Sequence, residues 1–161
     1  MLVIAVAVVV LGLVAKSKSG GGAARRFKAK AFMTPNELEF LSRLEAAVPE
    51  LRFHCQVAMG ALLDPQTPKR EDARAYMSAR GMFSQKIVDF VAQHRSTGEV
   101  VAVIELDDRT HNSAKDESRD AMLRQANYKV VRWQSKEKPD DRAIREALLV
   151  PREGLIASPP R

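Results

Sequence analysis

Three carboxylates stand where a buried β-strand should carry none. Asp89 interrupts the apolar segment KIVDFVA, and Glu105 and Asp107 close the run VVAVIELD. Burying a carboxylate costs several kcal/mol unless it is paired or holds a metal. On a strand, Glu105 and Asp107 are two apart and so share a face. A turn at residues 95–99 (RSTGE) folds one strand back on the other and brings Asp89 opposite them. Three carboxylates converging in this way make an oxygen-rich pocket suited to a hard cation, Mg²⁺ or Mn²⁺, with waters and a substrate phosphate completing its shell. The alternative is that these acids end their strands in water, or pair with Lys86 and Arg109. Spacing alone does not choose between the two.

His111 follows four residues after Asp107 in ELDDRTH. A histidine beside such a pocket has the proton affinity to act as a base near neutral pH, although most loop histidines are surface residues. Lys115 and Arg119 lie four apart on the next predicted helix, one above the other. Near the helix N-terminus they can meet a phosphate, or they can pair with Asp116 and Asp120 on a solvated face.

The elements that must position these groups are legible in outline. Thr34-Pro35-Asn36-Glu37 reads as a helix start, with threonine as cap, proline in the first turn and glutamate three residues after the cap. Leu38, Leu41, Leu44 and Val48 then recur at helical spacing up to Pro49. From Phe53 the pattern alternates: Phe53, Cys55 and Val57 on one face, His54 and Gln56 on the other, a short strand. Residues 64–72 form a polar connection, and residues 73–79 a short helix ending at Gly81. Strands are expected over 86–94 and 100–107, a helix over 115–126, a strand over 128–133 and a helix over 140–149. A helix crossing between two strands argues for an α/β fold with mixed strand pairing.

The 161 residues suit one ordinary domain, and 45% apolar with 29% charged residues suits a packed core. One cysteine, Cys55, excludes an internal disulfide framework and a cysteine-based zinc site. The net charge of +6 sits in one place: residues 16–30 hold six basic groups and no acid, while the rest of the chain carries 20 of each sign. A formally neutral body weighs against tight nonspecific binding to DNA, which needs several phosphate contacts.

Residues 2–15 are an apolar run of fourteen, about 21 Å long as a helix and short for a hydrocarbon core of about 30 Å. Three readings compete: a marginal membrane anchor lengthened by Lys16 and Lys18 snorkelling to the interface, a signal segment cut after Ala15, or a buried core segment. The anchor is preferred, because no basic stretch precedes the run and a fourteen-residue strand would be unusually long. The basic flank then stays in the cytoplasm and touches anionic lipid, and Gly20-Gly21-Gly22 makes a spacer. The expected organisation is an anchor or signal at 1–15, a basic linker at 16–31, a domain at 32–150 and a loose tail at 151–161. It describes a single-pass membrane protein with its domain in the cytoplasm, or a secreted or periplasmic one if the signal is cleaved.

The segment KIVDFV, its turn, VVAVIELDDRTH, a helix with Arg119-Asp120 and a strand ending VVRW together resemble the domain-of-unknown-function 2726 family. The opening MTPNELEFLSRLEAAVPELRFHCQVAM is similar to that family's first helix and strand. The resemblance covers roughly residues 32–133 and extends to the PD-(D/E)xK restriction-endonuclease-like superfamily and its very-short-patch-repair type of endonuclease. It implies a restriction-endonuclease-like core, a small mixed sheet flanked by helices, preceded here by the apolar N-terminal helix. It implies that Asp89 bridges a metal, that Glu105 and the Leu106 carbonyl are further ligands, and that Glu37 is an additional acid. Glu37 serves equally as a capping-box residue. Asp107 stands where many relatives carry a lysine, so His111 and Lys115 would have to supply that function. The implied activity is Mg²⁺-dependent hydrolysis of phosphodiester bonds in DNA or RNA. The competing expectation is an inactive module of the same fold that binds nucleic acid or a protein at the membrane.

Overall fold

The structure is a computed structural model that describes residues 26–107 and 113–150. The chain divides into two units, Met1–Ala31 and Phe32–Arg161. In the first, residues 26–31 are irregular. The apolar run 2–15, most of the basic linker, His111 and the tail 151–161 lie outside the described residues. Among the described residues no helix is long and apolar enough to cross a membrane.

All the regular elements among the described residues belong to the second unit. Helix α1 (Pro35–Ala47) starts as its residues predict. Glu37 N donates to Thr34 Oγ1 at 3.2 Å and Thr34 N donates to the Glu37 carboxylate, so two otherwise orphan donors are satisfied reciprocally. Replacing Thr34 by alanine is expected to cost about 1 kcal/mol in chemical denaturation, with Thr34→Ser retaining most of the stability. Equal stability of wild type and the alanine variant would show that the cap is idle.

Strand β1 (Leu51–Ala58) runs into a 3₁₀ turn (Met59–Ala61), followed by helix α2 (Ala73–Phe83). This helix continues past Gly81, where the sequence suggested an end. Nothing crowds Gly81, and the helix is held by Phe83, which is buried two residues later.

Strands β2 (Ile87–His94) and β3 (Val100–Asp107) form the expected hairpin. Its turn is closed by His94 N donating to Glu99 O at 2.8 Å and Gly98 N to His94 O at 2.9 Å. Gly98 has a φ of 74°, a conformation that favours glycine. Helix α3 (Ser113–Gln125) then crosses over to strand β4 (Val130–Gln134). The strand begins later than its apolar pattern suggested, because Tyr128 is part of the helix exit. There Tyr128 N donates to Leu123 O and Asn127 N to Arg124 O, with Asn127 left-handed at φ 62°. Helix α4 (Asp141–Leu149) is capped by Asp140, which accepts from Ala143 N at 2.8 Å.

The strands form one mixed sheet in the order β1-β2-β3-β4. The first three are antiparallel, and β4 is parallel to β3, as a helical crossover requires. On one face α1 and α4 bring Phe40, Leu44, Ile144 and Leu148 onto Phe53, Phe90, Ile104 and Leu106. Phe40 meets Phe90 and Trp133 edge to face. On the other face Met59, Phe83 and Leu123 pack with Val88, Val91 and Val103. The result is the expected α/β architecture, a small mixed sheet between helices.

Candidate active site: a carboxyl pair where two ladders open

The pairing Phe90↔Ile104, Val91↔Val103 and Ala92↔Ala102 is the regular part of the β2–β3 ladder. One more step of that register sets Asp89 across from Glu105, as the hairpin reading required. Backbone pairing stops there. Leu106 N, a ladder donor, instead donates to Asp89 Oδ2 at 2.9 Å, so the aspartate side chain takes the place of a main-chain acceptor.

The ladder on the other side of β2 opens at the same residue. Cys55 pairs with Phe90 and Val57 with Val88, and Gln56, opposite Asp89, is missing from the register. Gln56 has a φ of 53°, left-handed for a non-glycine residue. It therefore breaks the alternation read from the sequence. Cys55 packs on the α1/α4 face and Val57 on the α2/α3 face. The Gln56 side chain turns toward α1 and donates through Nε2 to Glu37 Oε1 at 2.9 Å. Glu37 is thus both the capping-box residue and a neighbour whose charge reaches Asp89.

Glu105 projects toward α3 and is 2% exposed, which excludes a strand-end acid in water. Burial, and then the charge of Asp89, push its pKa up to about 8, against the opposing pull of Arg119 and Arg132. Asp89 is also raised, first by burial and then by Glu37, while the Leu106 N–H, Arg119 and a hydrogen bond shared with Glu105 pull the other way. A buried carboxyl and a half-buried one sharing a hydrogen bond hold a proton between them, or a cation in its place.

The pH dependence follows from Glu105. Its carboxyl titrates near 4.5 when unfolded and about 8 when folded. Between those values the folded chain keeps a proton that the unfolded chain has lost, so stability falls as pH rises through the window. Without divalent ions, wild type is expected to lose on the order of 2–4 kcal/mol between pH 5 and pH 8 in chemical denaturation. Glu105→Gln should remove most of that slope. Parallel profiles for the two proteins would refute the assignment.

Asp107 does not join the pair. It lies on the face shared with Glu105, but both its oxygens are taken by Arg132, whose Nε donates to Oδ2 at 2.8 Å and whose Nη2 donates to Oδ1. Arg132 stands beside Glu105 in the parallel β3–β4 register. Its Nη1 donates to Asp120 Oδ1 at 2.9 Å, and Arg124 reaches the other oxygen of Asp120 at 3.4 Å. Among the described residues there is no group of three or more carboxylate, histidine or cysteine side chains placed to hold one metal ion. The expected three-carboxylate pocket is therefore a pair with an adjacent ion-pair network.

Arg119, expected on a solvated helix face or at a phosphate, is largely buried. Its Nε lies 3.4 Å from Glu105 Oε1, and its Nη1 donates to Ile87 O at 3.4 Å. Lys115 lies on α3, but its side chain, like the whole of His111, is outside what is described. Gln56 and Arg132 are site residues that sequence reasoning missed, and Asp120, read there as a solvated partner of Lys115 or Arg119, is buried against Arg132. Arg132 could have been found by the rule that found Asp89, since it is a charge inside the apolar strand VVRW. Gln56 gave no such signal. A separate pocket of about 290 Å³ between α2, α3 and the segment 63–66 shares no residue with this site.

No curated protein and no solved structure matches the chain. A family model, by contrast, matches residues 29–150, which include every acid and arginine of the site. The chain belongs to the family described as protein of unknown function (DUF2726).

Proposed function

We propose that this protein is a Mg²⁺-dependent nuclease that hydrolyses phosphodiester bonds of DNA or RNA. The observation that carries the reading is the Asp89–Glu105 pair, two carboxyls facing each other where the sheet opens on both sides of β2. Mg²⁺ is commonly held by one or two carboxylates with waters and substrate phosphate filling the rest of its shell, so a pair is a sufficient protein contribution. The proton-holding tendency of both groups fits, because a divalent cation relieves the same repulsion. Asp89 and Glu105 would hold the ion, with the Leu106 carbonyl as a third oxygen. The resemblance to the restriction-endonuclease-like superfamily supports the same assignment.

When bound, the ion would neutralise charge on the scissile phosphate and acidify an attacking water. The protein's own contributions are positional. Gln56 and the Leu106 N–H fix Glu37 and Asp89, and burial on the α3 face keeps water from Glu105. Arg119 and Arg132 supply positive charge near position 107, where the superfamily's lysine is replaced by aspartate. His111 is the nearest base in sequence, and Lys115 and Arg119 are the groups for phosphate.

Residues 1–30 complete the proposal. The apolar run anchors the protein in the membrane with its domain facing the cytoplasm, and residues 16–30 lie on anionic lipid. The second reading is an inactive binding module of the same fold. It is favoured by the complete engagement of Asp107 by Arg132, which leaves fewer carboxylates for a metal. Incubating the full chain with single- and double-stranded DNA and RNA separates the two. Cleavage with Mg²⁺ or Mn²⁺ that stops with a chelator is the expected result. Binding without cleavage of any of the four substrates selects the module.

A further inference from the structure

We infer that the outer face of α2, with Arg74 and Arg80 and continued by Lys86, is the surface that holds a nucleic-acid backbone beside the carboxyl pair. This rests on the reading of the domain as one that acts on nucleic acid, and names a surface that the neutral total charge conceals. Every arginine of α1, α3 and α4 lies against a carboxylate, from Arg43 with Glu39 to Arg145 with Glu50. Helix α2 differs. Residues 73–86 hold Arg74, Arg80 and Lys86 and no acid. None of these three pairs with a carboxylate among the described residues. Helix stability does not account for Arg74, which sits in the first turn, where the helix dipole disfavours a cation.

The helix geometry puts the charges on one side. At about 100° per residue, Arg80, Met77 and Arg74 fall within one arc of about 120°, and all three are exposed. Gly81 lies in the same arc and has open space over it. Elsewhere on the helix, Ala79 and Met82 line the pocket shared with α3 and Phe83 is buried, so this arc is the face left to solvent. The face leads into the site. Lys86 N donates to Phe83 O at 2.9 Å and Lys86 O accepts from Met59 N at 2.8 Å, tying the end of α2 to the start of β2, three residues before Asp89. A lipid surface fits less well: an interfacial helix needs a continuous apolar stripe, and Met77 is the one large apolar side chain on the arc.

The test measures binding of the full chain, in neutral detergent with EDTA so that nothing is cut, to labelled single- and double-stranded DNA and RNA across a salt series. Arg74→Gln with Arg80→Gln is expected to weaken binding about tenfold and to flatten the dependence of log affinity on log salt by about 1.5. Arg74→Lys with Arg80→Lys keeps the charges and should retain most of the affinity. Arg43→Gln with Arg142→Gln removes the same charge from α1 and α4 and should change little. Equal losses from the two glutamine pairs, or no loss from either, overturn the inference and leave the cleavage question untouched. Wild type that binds nucleic acid but cuts none with Mg²⁺ removes the nuclease reading while this surface stands. Wild type that binds none of the four nucleic acids overturns the surface. So does an α2 pair that lowers binding only to phosphatidylserine vesicles, which would assign the face to lipid. Should the α2 glutamine pair fail to fold, Lys86→Gln, outside the helix, decides alone: its salt slope should fall by about 0.8, and an unchanged slope overturns the inference.

Discussion

Removing either carboxyl of the pair is expected to lower Mg²⁺-dependent cleavage by about 10³-fold or more, a loss of about 4 kcal/mol in transition-state stabilisation. The choice of substitution matters. Asp89 also accepts the Leu106 N–H, so Asp89→Ala leaves a buried donor unsatisfied and costs about 1–3 kcal/mol of stability besides its effect on activity. Asp89→Asn keeps an acceptor at that position and loses only the charge, which makes it the cleaner variant. Glu105→Gln is expected to fold at least as stably as wild type near pH 8, because it removes the charge that burial and Asp89 disfavour. Both variants should retain cooperative unfolding, lose cleavage and lose the rise in melting temperature on adding Mn²⁺. Cleavage at the wild-type rate by both would trace the activity to a contaminant and end the nuclease reading.

The largest effect on stability is expected from Arg132→Ala. The Arg132 side chain is 22% exposed, and those of Asp107 and Asp120 12% and 7%. Its guanidinium is held charged first by hydrogen bonds to Asp107 and then by the charge of Asp120. Breaking a buried pair on one side costs about 3–5 kcal/mol, and the contact of Arg124 with Asp120 at 3.4 Å offsets only part of it. Here two carboxylates on two elements, β3 and α3, lose the same partner. Arg132→Met combined with Asp107→Asn and Asp120→Asn removes all three charges together and should recover most of the loss. A cost below about 1 kcal/mol for Arg132→Ala would mean that solvent screens the network.

Near neighbours in the chain carried most of what could be read in advance. The cap at Thr34 and Glu37 is complete within four residues. The β2–β3 hairpin is contiguous, but a register shift between Ala92 and Gln93 separates its turn from the ladder that sets Asp89 across from Glu105. Gly81 misled because a glycine in a helix is a cost of about 1 kcal/mol, and the burial of Phe83 outweighs it.

What alternation within one strand could not show is who lies beside it. Asp107 was assigned to the same pocket as Glu105 because the two share a face, and they do. Its partner is 25 residues away on β4, across a helical crossover whose register no turn dictates. Gln56 has its left-handed backbone where the ladders on both sides of β2 part at Asp89. Residue types, caps, periodicity and hairpin pairing are local properties, determined by the sequence itself. Which buried charge meets which counter-charge was decided only when separate elements packed, because a desolvated carboxylate takes the guanidinium that the neighbouring strand or helix brings within reach.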